Sequence, residues 1–231
     1  MITQESTHRI EAVPFRVEMK ALLRALQIAD PAPFMDDIER LVRQAEAVAR
    51  PKGLYKLAAM DAVGGDAVAI DGVTFTSRIL RINVGELHRV FPFVATCGAE
   101  LEQWSRGLDD MMTQFWADAI KELALRRAIA ELARHLNETY HPGKRAAMNP
   151  GSLEDWPLAQ QAPLFGLFGD VAGLVGVELG ASFLMSPIKS VSGIWFETDK
   201  DYQNCRLCPR PACPNRRAPH DAHLLEGEYG L

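Results

Sequence analysis

The stretch from about Met111 to Thr139 does most to limit what this chain can become. Leu125, Ile129, Leu132 and Leu136 recur along it at the spacing of one helical face, and Pro142-Gly143 ends it. Two further stripes precede it. Residues 17–28 place Met19, Leu22, Leu23 and Leu26 together, and residues 36–49 do the same with Ile38, Leu41, Val42, Ala45, Val48 and Ala49, opened by Asp36 and Asp37 and stopped before Pro51. Between and after these stripes the period changes to that of strands. Ala67–Ile70 and Val73–Phe75 flank an Asp71-Gly72 turn, Arg89–Thr96 reads as a buried strand in which Pro92 predicts an edge or a strand start, and Ser190–Glu197 reads as a last strand. Helical signal returns over 157–168 and 172–180. Helices and short strands that do not alternate regularly favour an α+β fold over a doubly wound sheet.

A length of 231 residues suits one large domain or two small ones. The texture changes near Asp201 to Cys, Pro and Arg with little periodicity, which divides the chain into 1–200 and a Cys-rich irregular tail, 201–231. The formal net charge of -5 argues against a nucleic-acid binder, which needs a net basic face. No apolar run reaches the length of a membrane span, and Met1-Ile-Thr-Gln-Glu-Ser lacks the basic start of a secretory signal, so a cytoplasmic protein is expected.

The tail carries the strongest local chemistry. Cys205, Cys208 and Cys213 form a Cys-x2-Cys-x4-Cys array within Asn204–Pro214, and Cys97 stands alone upstream. Clustered thiols in a cytoplasmic chain are more often metal ligands or redox groups than disulfides. An iron–sulfur cluster, with four irons and four sulfides, is the expected occupant, since such clusters take thiolates alone and often have Pro beside a ligand. Zinc is the alternative, with His220 or His223 completing a Cys3His set. Cys97, in Ala95-Thr96-Cys97-Gly98, reads either as a small core residue or as a fourth cluster ligand brought in by the fold. Arg206, Arg210, Arg216 and Arg217 surround the tail thiols and would lower their pKa values or dock an acidic partner.

Two segments rich in Pro, Gly or hydroxyls are candidate ligand loops. Lys144–Pro157 offers Arg145, able to pair a carboxylate or phosphate, with Pro150 and Gly151. Ser186–Gly193 offers Lys189, Ser190 and Ser192. Nucleotide cradles and the nucleophile elbow of hydrolases are absent from the sequence. His135 and His141 read as structural or surface residues, and Glu100, Glu102, Asp109 and Asp110 as a solvated face.

Leu179–Phe196, with its Ser-Pro-Ile-Lys-Ser-Val-Ser-Gly core, resembles the C-terminal activation domain of cobalamin-dependent methionine synthase. The Asn-Pro-Gly-Ser-x-x-Asp-Trp-Pro-Leu stretch at Asn149–Leu158 and the Cys-x2-Cys-x4-Cys tail followed by Arg216-Arg217 resemble stand-alone relatives of that domain found beside corrinoid methyltransferase systems. The resemblance is weak before residue 90 and specific from about 145 to 219. It implies a twisted antiparallel sheet flanked by helices, and a role in returning an oxidised corrinoid to service. In the synthase a loop of the form Arg-x-x-Pro-Gly-Tyr serves S-adenosylmethionine. Here the corresponding Arg145–Ser152 is two residues longer and has no Tyr, which speaks against that ligand. The cysteine tail, absent from the synthase domain, points to electron delivery instead. The chain has no Asp-x-His-x-x-Gly cobalamin motif, so the corrinoid is expected on a partner, a corrinoid protein or cobalamin-dependent methyltransferase. The alternative is a binding module without redox chemistry, recognising that partner or S-adenosylmethionine, with zinc stapling the tail.

Overall fold

The computed structural model describes residues 7–11, 13–62, 64–213 and 216–230. In chain order it contains β1 (Thr7–Ile10), α1 (Met19–Leu26), α2 (Met35–Val48), β2 (Lys52–Lys56), β3 (Ala58–Ala62), β4 (Ala67–Ile70), β5 (Val73–Thr76), α3 (Arg78–Val84), β6 (Arg89–Thr96), α4 (Ala99–Arg106) and α5 (Met111–Tyr140). There follow β7 (Arg145–Met148), α6 (Gln161–Gly166), α7 (Val171–Val175), β8 (Glu178–Leu179), β9 (Met185–Ser186), β10 (Ser190–Glu197), α8 (Asn204–Leu207) and α9 (Ala222–Leu224). The fold is α+β, an antiparallel sheet flanked by helices.

Strand β6 is the centre of the sheet. Along one side it pairs with β10, which in turn pairs with β7. Along the other side it pairs first with β3 and then with β2. Strand β1 extends the sheet beyond β2, and the β4–β5 hairpin extends it beyond β3. Pro92 therefore lies in a central strand, not at an edge as the sequence suggested. The ladder explains why this is tolerated. Strand β2 pairs through Phe93 and β3 resumes at Val90, so Pro92 and Phe91 face a break in that ladder.

Both faces of the sheet are buried, which the alternation along each strand records. Phe91, Phe93 and Ala95 of β6 and Trp195 of β10 pack on Ile120, Ala124, Leu132 and Leu136 of α5, with α1, α2 and α4 beside it. Val90 of β6 and Ile194 and Phe196 of β10 point the other way, into a cluster with Trp156 and Leu164. Leu207 and Tyr229, from the segment after residue 201, are buried in that same second cluster. Asp71 and Gly72 both take positive φ, 47° and 78°, and make the tight turn that joins β4 to β5.

Other departures from the sequence reading are local. Strands β1, β2 and β3 carry no clean alternation of their own. The helix expected over 172–180 ends at Val175, where Gly176 turns left-handed with φ 69°, and Glu178–Leu179 then pairs with Met185–Ser186. Glu100 and Glu102 are not simply solvated. Lys52 Nζ lies 2.8 Å from Glu100, and the buried Lys121 donates to Glu102 at 3.0 Å. His135 is structural as expected, its Nδ1 lying 2.7 Å from the buried Tyr55 hydroxyl.

Candidate functional site: a cationic cleft holding three thiols

Among the described residues strand β7 pairs only with β10, and residues of both strands line a cleft of about 1140 Å³. Lys144–Pro157 reads as a loop in the sequence, but its first part, Arg145–Met148, is this edge strand, paired with Ile194–Glu197. Close approach of the two strands depends on Gly193. A Cβ there would stand 2.4 Å from Asn149 Nδ2 and 2.5 Å from the Met148 carbonyl oxygen. Asn149 instead donates to the Ser192 carbonyl at 2.7 Å.

Arg145 enters the cleft from the start of β7. Its guanidinium stacks over the Trp195 ring at 5.6 Å, and Trp195 stacks on Phe93 at 3.9 Å. Its Nη1 donates to Asn137 Oδ1 of α5. Burial pulls its pKa below the ordinary guanidinium value. No carboxylate pairs with Arg145 among the described residues. Gly151 also lines the cleft, with φ 81°, and its N–H donates to the Trp156 carbonyl at 2.7 Å. Pro150 is buried and does not line it.

The rest of the Asn149–Leu158 motif builds structure. Asp155 accepts from the Ser77 hydroxyl and from the backbone N–H groups of Arg78 and Ile79, so its carboxylate caps the first turn of α3. Trp156 is buried edge-on to Phe75.

Cys205, Cys208 and Cys213 all line the same cleft, each partly exposed and none in a disulfide. The backbone around them is held by Arg216. Its guanidinium donates to the carbonyls of Cys205 at 2.9 Å, Cys208 at 3.2 Å, Ala218 at 3.2 Å and also Arg210. The Arg217 N–H points at Cys205 Sγ at 3.4 Å. Arg206 pairs with Asp221 at 3.2 Å and is likewise a tie within the segment. Of the four arginines, only Arg210 and Arg217 face the cleft.

The remaining candidates lie elsewhere. Lys189 pairs with Asp118 of α5 at 2.8 Å. Ser190 Oγ is 2.8 Å from Thr96 Oγ1 and 2.7 Å from the Pro187 carbonyl, and Ser192 Oγ donates to Gln161 Oε1 at 2.9 Å. Cys97 is fully buried in the cluster beneath α5, and burial pushes its thiol up to about 12. Its N–H donates to the Lys189 carbonyl. Trp195, on the cleft, lies six residues after Lys189 along β10, roughly 20 Å at the rise of an extended chain. The structure thus brings Arg145 and Gly151 to the three tail thiols, and leaves Cys97, Lys189, Ser190 and Ser192 apart from them.

Sequence reasoning missed Lys144, Trp195, Lys200 and Gln203 as cleft residues. Nothing in their local pattern marks them, because they meet only when β7 adds to β10. Gln203 Oε1 is buried there without a hydrogen-bond donor.

Three thiols line the cleft, one fewer than the four thiolates a four-iron cluster takes. One zinc needs four ligand atoms about 2.0–2.3 Å from one point. Among the described residues no three Cys, His, Asp or Glu side chains are gathered that closely, and neither His220 nor His223 lines the cleft.

Against known proteins, no family model matches the chain, and no curated protein does. Among solved structures it is similar to the crystal structure of the MetH reactivation domain bound to AdoHcy, with a TM-score of 0.61 and 15% identity over 85% of this chain and 80% of that one. The fold is that of a methionine synthase activation domain. That likeness agrees with the Leu179–Phe196 resemblance. No helix among the described residues is long and apolar enough to cross a membrane.

Proposed function

We propose that this chain is a reductive accessory protein for a corrinoid methyltransferase system. The observation that carries the reading is the convergence of three free, partly exposed thiols on one cleft of an activation-domain-like fold. An iron–sulfur cluster on Cys205, Cys208 and Cys213 would supply electron transfer, and such clusters span roughly -700 to +450 mV, whose low end suits reduction of cobalt(II) to cobalt(I). Arg216 fixes the backbone that presents the thiols. Arg210 and Arg217 line the same cleft and would offset the negative charge of thiolates holding a cluster. The cleft is open, so a corrinoid carried on a partner protein can approach it, and the electrons come from an external low-potential donor.

Purification without oxygen, followed by iron, sulfide and zinc analysis, tests the reading. About four irons and four sulfides per chain are expected, and both are expected to be lost in Cys208→Ser. One zinc per chain with no iron would overturn it and leave a binding module with a metal-stapled tail.

A further inference from the structure

Charge is unevenly spread over this molecule. The chain as a whole carries a formal -5, yet among the described residues Lys144, Arg145, Lys200, Arg210 and Arg217 face the cleft against one carboxylate, Asp201. Among the described residues only Lys200 reaches a counter-charge, Glu228, at 4.0 Å with both side chains exposed. Lys144 donates to a carbonyl and Arg145 to an amide. Cations gathered this way repel one another, and Arg145 has also lost part of its hydration. Arg210 and Arg217 belong to the cysteine segment and serve its thiolates. Lys144, Arg145 and Lys200 come from the start of β7 and the chain beyond β10, and thiolate charge alone does not account for them.

We propose that the cleft binds a small polyanion, a molecule bearing phosphate or several carboxylates, with Lys144, Arg145 and Lys200 as its principal contacts. Concavity favours a small molecule over a flat protein surface. Arg145 is already oriented, since Trp195 and Asn137 hold its guanidinium before any ligand arrives. The same cation excess disfavours a sulfonium ligand. The site goes beyond the electron-transfer reading and does not depend on what the thiols hold.

Calorimetric titration of the full chain with inorganic pyrophosphate, and separately with citrate, at low ionic strength tests this. Saturable binding at one site is expected for at least one of the two. Arg145→Gln is expected to weaken it roughly tenfold or more, and Lys200→Ala several-fold, as the loss of one charge-assisted contact implies. Arg24→Ala, which removes an exposed charge on α1, is expected to bind as the parent protein does. Lys200 is exposed, so its variant folds even if Arg145→Gln does not. Iron and sulfide, measured on the same Lys200→Ala sample, are expected to be unchanged, which separates failure of this site from failure of the cluster. No saturation with either anion by about 10 mM, or parent-like affinity in both variants, would overturn the proposal. Tighter binding of hexaglutamate than of either small anion would also overturn it and assign the cleft to an acidic protein segment.

Discussion

Strand β10 joins two regions built from the same kinds of residue and put to opposite uses. At its entry, Lys189, Ser190 and Ser192 are spent on partners inside the fold: Asp118, Thr96 and Gln161. Cys97 sits beside them as a buried neutral thiol. At its exit, Trp195 leads to a cleft where Arg145 and Arg217 lack carboxylate partners among the described residues and three thiols meet solvent. A cation, a hydroxyl or a thiol is thus structural where helix α5 and the neighbouring strands cover it, and free to act where the sheet ends at β7. Residue type proposes a role, and coverage decides it.

The sharpest way to break this contrast is thiol alkylation of metal-free protein. Cys205, Cys208 and Cys213 are expected to label readily in the folded state. A buried thiol raised to about 12 is expected to react on the order of a thousandfold more slowly at pH 8 than an unperturbed thiol. Mass spectrometry after timed quenching reads this, and a fourth alkylation at the pace of the other three would erase the distinction between the two ends.

Next in size is Gly193→Ala. The added methyl collides with backbone and with Asn149, so unfolding by urea is expected to show a loss of about 1–3 kcal/mol. Anion affinity should fall with it, because β7 carries one wall of the cleft. At the closed end, Ser192→Ala leaves Gln161 Oε1 buried without its donor and is expected to cost about 1–2 kcal/mol, with anion affinity unchanged. Lys200→Ala, at the open end, is expected to change stability by less than about 0.5 kcal/mol. A destabilisation equal to that of Ser192→Ala would mean that the open end is structural too.

Alkaline pH tests the closed end in a different way. The Cys97 thiol ionises near 9 in an unperturbed chain and near 12 in the fold, so the folded state holds the proton more tightly. Its contribution to stability is complete below pH 9 and declines as pH climbs from 9 toward 12. Cys97→Ala is expected to flatten that part of the profile in unfolding measurements at pH 8, 9.5 and 10.5, relative to the parent protein.

Much of the scaffold is legible in the residues alone. The stripe ending at Leu136 forms α5, the Asp71-Gly72 turn makes its hairpin, and the α+β class follows from where the periods change. Strand β2 was not legible, because a short strand buried on both faces shows little alternation, and β1 and β3 are too short to display a period of their own. The Asn149–Leu158 motif was legible as important but not as divided. Gly151 lines the cleft, whereas Asp155 caps α3 and Trp156 fills the core.

By itself the sequence determined that the chain carries three clustered thiols, where α1, α2 and α5 run, and which loops hold cations, because spacing and periodicity are local properties. Only the tertiary structure decided which of those groups share a site. Pairing of β7 with β10 sets Arg145 beside Lys200 and Cys205, while the register of β10 on β6 leaves Cys97 at the far end of the strand. Register and burial depend on contacts between residues far apart in the chain, and no local pattern encodes them.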